Sequence, residues 1–342
     1  MARRAVINLK DARPLWSIPD AHAAHIAAAF PVDWQVTRVD AAADGRGDGS
    51  GVTPEALAAA PGTEVWIGYG LPEEILAAAG DTLRWAHTGT AGIAALLYPR
   101  MLDADLLLTN SAGVHAPAMA ETVIAMALHF ARGFDITLRA QQAARWDPAP
   151  FDEDTDRVRE LAGTTLGLVG MGGIGREVAR RAVALGMHVI AVRRHDRPAP
   201  AGVQLLRGDD ALGTLLERSD FVVLALPATS ETRGLIDAAA LRRMRSDAVL
   251  INVARGDVLD EDALLHALRS GALRGAGLDV FRTEPLPADS LFWSLPNVLI
   301  TPHVSAATSR FWERESELII ENIGRYLDGT PLRNVVDRQA GY

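Results

Sequence analysis

Three polar side chains in the last third of the chain stand where short apolar runs end: Arg255 in INVARGDVLDEDAL, Glu284 in GAGLDVFRTEPLP and His303 in LPNVLITPHVSAAT. Each alone has an ordinary reading. An arginine in a loop before a helix is usually a surface ion pair, a glutamate before proline is usually solvated, and a histidine after proline is often a turn residue. Taken together they suit one kind of chemistry. Arg255 carries a planar fork matched to carboxylate and carbonyl oxygens. His303 can give a proton as imidazolium and take it back as imidazole. Glu284 would bond the other ring nitrogen, orient the ring and favour its protonated form. Such a set suits reduction of a carbonyl next to a carboxylate, provided that a hydride donor is held against the carbonyl carbon.

A place for that donor lies upstream, in LVGMGGIGREVA. Gly170, Gly172 and Gly175 make a G-x-G-x-x-G pattern, which alone is weak because glycine is common in turns. The setting strengthens it: an apolar strand precedes the motif, an amphipathic helix follows, and another strand comes next, as a dinucleotide site requires. Gly170 would permit the tight turn, Gly172 the approach of backbone to pyrophosphate, and Gly175 the close packing of helix on strand. The phosphates would rest on the helix N-terminus, around Gly172, Gly173, Ile174 and Gly175. At the end of the next strand a ribose-binding carboxylate is the ordinary expectation, yet VIAVRRHD puts Arg193 near that position, followed by Arg194. A guanidinium can bond a 2′-phosphate and stack on adenine, so the pair favours NADP(H) over NAD(H). The competing readings are two solvated arginines at a strand end, or Asp196 reaching back to the ribose.

At this point the chain closely resembles the D-isomer-specific 2-hydroxyacid dehydrogenases, which include glyoxylate/hydroxypyruvate reductases, D-lactate dehydrogenases and phosphoglycerate dehydrogenases. The resemblance runs from about Thr82 to the C-terminus and is strongest from Leu161 to Ala307. It includes RELAGTTLGLVGMGGIG and LALPATSETRGLID beside the three stretches that opened this section. It implies the same three roles for Arg255, Glu284 and His303. It also implies that Asp279 accepts from the nicotinamide carboxamide, that the backbone of Ala254 and Pro227 lines that ring, and that the amides of Ala91 and Gly92, in HTGTAGIAALL, bind the substrate carboxylate. The family commonly has an acidic residue just after that loop, where this chain has Ala94. Trp293 and Trp146 are candidates either for a wall of the pocket or for core packing.

The expected reaction is reduction of a small 2-keto acid to a 2-hydroxy acid, with glyoxylate and hydroxypyruvate favoured by the small, uncharged look of the 91–92 loop. Other oxidoreductases of the same scaffold, acting on phosphite or sugar acids, are alternatives; formate dehydrogenases are disfavoured because they carry glutamine where Glu284 stands. A dinucleotide-sensing, corepressor-like interaction protein is the alternative from another class.

The elements that must position these residues follow from hydrophobic pattern. Short Val/Ile/Leu runs alternate with alanine-rich segments of helical period, so the class is α/β with parallel sheets. The resemblance implies two Rossmann-like, doubly wound domains. The substrate domain, flavodoxin-like, takes residues 1–110 and 308–342, and the dinucleotide domain, residues 111–307, is inserted into it. Ala116 to about Arg145 reads as one long helix, with Pro117 near its start; the resemblance implies that it crosses between domains and helps form a homodimer through the cofactor domain. Residues 308 to about 328 read as a last amphipathic helix.

Composition limits the rest. With 342 residues, two domains are the natural division. The net charge of −9 argues against nucleic acid as a partner. Cysteine is absent, which removes disulfides, a thiol nucleophile and thiolate metal sites. His22 and His25 are one turn apart but lack a third ligand, so no metal is expected; His115 reads as support for the domain crossover. The basic start MARR precedes only a strand's length of apolar residues, and no stretch is long enough to span a membrane. A soluble, cytoplasmic protein is expected.

Overall fold

The computed structural model describes residues 2–42, 51–153, 158–194 and 198–339. The chain forms two compact units, Met1–His115 with Ala307–Tyr342, and Ala116–Ala306. In chain order the first unit holds β1 (Arg4–Asn8), α1 (Asp20–Ala28), β2 (Gln35–Arg38), α2 (Pro54–Ala59), β3 (Val65–Gly68), α3 (Glu73–Ala79), β4 (Trp85–Thr88), α4 (Pro99–Asp103) and β5 (Leu107–Asn110). The second holds α5 (Ala116–Ala131), α6 (Phe134–Gln142), α7 (Ala149–Asp152), β6 (Thr165–Val169), α8 (Gly173–Ala184), β7 (His188–Val192), β8 (Val203–Leu205) and α9 (Ala211–Arg218). It continues through β9 (Phe221–Leu224), α10 (Ala238–Arg243), β10 (Val249–Asn252), α11 (Glu261–Ser270), β11 (Gly275–Leu278) and β12 (Val298–Ile300). The chain then returns to the first unit as α12 (Phe311–Leu327).

Both sheets are parallel and doubly wound. In the first unit the strand order is β2-β1-β3-β4-β5, the flavodoxin-like order; in the second it is β12-β11-β10-β9-β6-β7-β8, the Rossmann order with one strand added. Strands such as β9 (FVVL) are buried along their whole length, as parallel strands covered on both faces must be. Alternation divides their side chains between two cores. Phe221 and Val223 pack with Met126 and Phe130 of α5 and Val178 and Ala182 of α8. Val222 and Leu224 pack with Leu215, Leu241 and Leu264 of α9, α10 and α11. In the first unit Ile7 and Ile67 meet Ile26 of α1 and Ile319 of α12, whereas Val6 and Trp66 meet Ile75 and Leu76 of α3. Each such buried side chain contributes roughly 1.5–3 kcal/mol, so α12, last in sequence, is integral to the first unit.

One expectation is corrected, and one strand is added. The continuous helix from Ala116 to Arg145 is two helices, α5 and α6, broken at Gly133. That residue has φ 66° and lies against Phe151, whose ring a Cβ would meet at 2.7 Å. β8 was not expected, because its residues are only partly covered and make no apolar run. Among the described residues no helix is long and apolar enough to cross a membrane.

Candidate active site

Strand order reverses between β6 and β9, and ligands in such sheets bind outside the carboxyl ends of the strands at that reversal. The glycine motif lies there. Gly170 leaves β6 at φ 102°, and a Cβ on it would stand 2.3 Å from the carbonyl oxygen of Ala225, in the loop after β9. Gly175, on the first turn of α8, comes so close to Gly170 that a Cβ would meet its oxygen at 2.4 Å. These two positions hold the turn and the helix start together. At Gly172, the N-cap of α8, the same space is open. Gly172 and Gly173 are exposed, so the first turn of α8, whose leading amides have no partner within the helix, opens at the surface, the arrangement that receives phosphate.

Arg193 follows directly on β7 and is half-buried; its Nε and one terminal nitrogen are buried without a hydrogen-bond partner. Such orphaned donors on a permanent cation are costly unless an anionic acceptor meets them. Arg194 is exposed and pairs instead with Glu231, at 3.2 Å. Asp196 lies outside the described residues. The glycine turn and Arg193 fit a nicotinamide dinucleotide, and the orphaned guanidinium nitrogens fit an additional phosphate.

Arg255, Glu284 and His303 follow the adjacent strands β10, β11 and β12 at their carboxyl ends. Glu284 and His303 are joined directly, Nδ1 to Oε2, at 2.6 Å. Oε1 of Glu284 accepts the Phe281 amide at 2.9 Å, so the carboxylate is held on both oxygens. The next amide, that of Arg282, donates to Glu261 at 2.6 Å; burial pushes the Glu261 carboxyl above its ordinary range, with the Arg282 amide opposing that shift. The exposed Arg255 guanidinium touches the carbonyl of Ala254 at 2.7 Å. Its loop lies against the Glu284 loop, because a Cβ on Gly256 would be 2.1 Å from the Arg282 nitrogen.

Two supports were not apparent from the sequence. Asn252, wholly buried at the end of β10, accepts the Ala254 amide at 3.0 Å and donates to the Arg255 carbonyl at 3.1 Å, fixing the Arg255 turn. Asp279, 1% exposed, is the clasp of the His303 loop. Its Oδ1 accepts from Thr301 Oγ1 at 2.6 Å and the Val304 amide at 2.9 Å, and Oδ2 accepts the amide and hydroxyl of Ser305. The Asp279 carbonyl also takes the His303 amide, at 2.9 Å. His303 needs that restraint: its φ of 53° is in the left-handed region, costly for any residue with a Cβ.

The other expected residues are placed as follows. The Pro227 carbonyl accepts Thr232 Oγ1 at 2.7 Å, and Ala254 is buried. Trp293 is 53% exposed, with its indole N–H on the Pro287 carbonyl, and Trp146 is 99% exposed, so core packing is overturned for both. His22 bonds Ser316 Oγ at 2.9 Å, and His115 stacks on Phe311, with 5.1 Å between ring centroids.

In the first unit Ala91 and Gly92 lie in the loop after β4, both exposed. Their carbonyls are held, Ala91 by Asn110 Nδ2 at 2.9 Å and Gly92 by Thr90 Oγ1 at 2.8 Å. No acceptor among the described residues takes either amide. Paired free amides on a braced loop suit an anion such as a carboxylate.

Residues 124–305 match the family model "D-isomer specific 2-hydroxyacid dehydrogenase, NAD binding domain". A glyoxylate reductase of Korarchaeum cryptofilum is 37% identical over 237 residues, 68% of this chain and 70% of that protein. Among solved structures, a D-isomer specific 2-hydroxyacid dehydrogenase of Xanthobacter autotrophicus in complex with NADPH and MES superposes with a TM-score of 0.79 at 31% identity, covering 100% of this chain and 99% of that one. An NADPH-dependent glyoxylate/hydroxypyruvate reductase of Sinorhizobium meliloti, in complex with NADP and sulfate, gives a TM-score of 0.79 at 30% identity, over 99% and 100% of the two chains.

Proposed function

The chain belongs to the D-isomer specific 2-hydroxyacid dehydrogenase family and is an NAD(P)-dependent oxidoreductase of 2-hydroxy acids; from that premise we propose that it works as a 2-keto acid reductase on glyoxylate- or hydroxypyruvate-type substrates, with His303 as general acid. The observation that carries this reading is the 2.6 Å bond from Glu284 to Nδ1 of His303. With Nδ1 committed, Nε2 is left as the atom that exchanges a proton with the substrate oxygen. A reduced nicotinamide dinucleotide, when bound, supplies the hydride that C2 receives.

Arg255 would hold the substrate's carboxylate and carbonyl oxygen with its fork, and the free amides of Ala91 and Gly92 would offer donors to a carboxylate. Imidazolium His303 would place a proton on the carbonyl oxygen as C2 gains the hydride, giving the 2-hydroxy acid and neutral imidazole. Glu284 would stabilise the charged ring before the transfer and keep it oriented afterwards. Gly170, Gly172, Gly173, Ile174 and Gly175 would bind the pyrophosphate. The backbone of Ala254 and Pro227 would line the nicotinamide. Asp279 would accept from its carboxamide only by sharing oxygens that already hold the His303 loop.

The orphaned nitrogens of Arg193 support NADP(H) over NAD(H), as do the cofactors named with the two similar structures. Exposed Leu128, Phe134, Leu138 and Trp146, on and just after α5 and α6, support a homodimer through this unit. A reducing, cytoplasmic setting accords with the absence of cysteine. Nicotinamide absorbance followed over a panel of 2-keto acids, with NADPH and NADH in parallel, tests the reading. Turnover of glyoxylate or hydroxypyruvate, faster with NADPH, is the expected result; no turnover of any 2-keto acid would overturn it.

A further inference from the structure

The first unit buries a polar cluster that the reaction above does not use. His87, on β4, and Glu315, on α12, have fully buried side chains, with Nε2 and Oε1 3.1 Å apart. Thr109 Oγ1 lies 2.9 Å from the other ring nitrogen of His87 and accepts the Trp85 indole N–H, also at 2.9 Å. An indole N–H can only donate. A chain running from Trp85 to Thr109, from the Thr109 hydroxyl to Nδ1, and from Nε2–H to Glu315 satisfies every member. The exception is Oε2 of Glu315, buried with no hydrogen-bond partner.

A buried carboxyl group with one orphaned oxygen is a poor way to stabilise a fold, since that oxygen has left water without gaining a partner. The second partner of Oε1 suggests what the group does instead. Ser111 Oγ stands 2.8 Å from it and 3.0 Å from the Thr88 carbonyl. The Ser111 amide holds the Thr90 carbonyl at 3.1 Å, and the neighbouring Asn110 holds that of Ala91. With the one Ser111 hydroxyl proton given to Glu315, the carbonyls of Thr90 and Ala91 are the ones drawn toward the end of β5, while the amides of Ala91 and Gly92 stay free.

We infer that Glu315 is a positioning residue for substrate binding: through Ser111 and His87 it fixes the 88–92 loop so that the Ala91 and Gly92 amides meet the substrate carboxylate. This rests on the reading of that loop given under the proposed function. The last helix of the chain thereby sets the affinity for the 2-keto acid without touching it.

The test is KM for glyoxylate and hydroxypyruvate, kcat, dinucleotide affinity and melting temperature in four variants. Glu315→Met and Ser111→Ala should raise KM about tenfold, the scale of one lost charge-assisted hydrogen bond, with dinucleotide affinity unchanged. Glu315→Gln keeps an acceptor at Oε1 and should restore KM to near the parent value. Ala91→Pro removes one loop amide and tests the loop itself. If Ala91→Pro raises KM while Glu315→Met and Ser111→Ala do not, the loop binds substrate but Glu315 does not position it, and the inference fails. A lower melting temperature in Glu315→Met with KM unmoved means a purely structural role and also overturns it. If Ala91→Pro leaves KM unchanged, the reading of the loop fails first. Should Glu315→Met not fold, Ser111→Ala decides alone.

Discussion

Nδ1 of His303 and Oε2 of Glu284 lie 2.6 Å apart, while the other oxygen of the same carboxylate is tied to the Phe281 amide. The imidazole is thus oriented by a group that is itself oriented by backbone. His303→Ala should lower kcat by ~10²–10⁴ and leave dinucleotide affinity, measured by fluorescence titration, unchanged. Glu284→Gln should lower kcat with little change in KM, since ring orientation matters most in the transition state. Undiminished turnover in His303→Ala would remove the histidine from the chemistry.

Asp279 restrains the backbone of the His303 loop. Asp279→Asn keeps one acceptor oxygen, but the new amide group would face the Ser305 N–H, donor against donor. A buried unsatisfied donor costs roughly 1–3 kcal/mol, and here the cost falls on the loop that keeps His303 at φ 53°. The expected outcome is a lower melting temperature together with a fall of about tenfold or more in kcat. A stable variant with full kcat would show that the loop keeps its shape without the clasp.

The places of Arg255, Glu284 and His303 after successive strand ends, and the glycine turn, were legible in the sequence because each is local: a residue type, a spacing and a neighbouring apolar run. Most strands were legible for the same reason, since short, β-branched apolar runs such as FVVL or VLIN bounded by turn residues suit a covered strand. β8 escaped because an edge strand needs no apolar run. The break at Gly133 had a local sign, a glycine inside a helical pattern, but its cause is the Phe151 ring 18 positions away. The clasp of Asp279 on residues 301–305 and the contact of His87 with Glu315, 228 positions apart, have no local sign. Long-range hydrogen bonds leave no periodicity to read.

Gly256 tests how tightly Arg255 is registered against Glu284. A Cβ there would stand 2.1 Å from backbone atoms of Phe281 and Arg282, which cannot rotate away as a side chain would. Gly256→Ala should cost about 1–3 kcal/mol in urea unfolding and lower kcat/KM at least tenfold by parting the two loops. A variant with parental stability and activity would mean that the loops separate freely.

Acid stability has a separate origin in the first unit. The Arg3 hydrogen bond holds the Glu64 carboxyl below its ordinary range, with the Tyr326 hydroxyl assisting and partial burial opposing. A depressed carboxyl contributes stability above its unfolded value, about 4.3, and loses that contribution as pH falls through the lower folded value. Glu64→Gln should therefore melt below the parent protein at pH 7, and the gap should close toward pH 3. A gap independent of pH would assign the loss to packing.

On the proposed reading, Arg193 carries the cofactor preference. Its Nε and one terminal nitrogen are buried without a hydrogen-bond partner, whereas Arg194 is paired with Glu231. Arg193→Asp should weaken NADPH by roughly 10–100-fold, as expected for charge-assisted hydrogen bonds of about 1.5–3 kcal/mol, and leave NADH nearly unchanged or slightly tighter. Arg194→Ala should change either affinity by less, because an exposed ion pair contributes little. Titration of both variants with both cofactors separates the two arginines. Equal losses of NADH and NADPH in Arg193→Asp would mean that Arg193 supports the strand end rather than reading the 2′-phosphate.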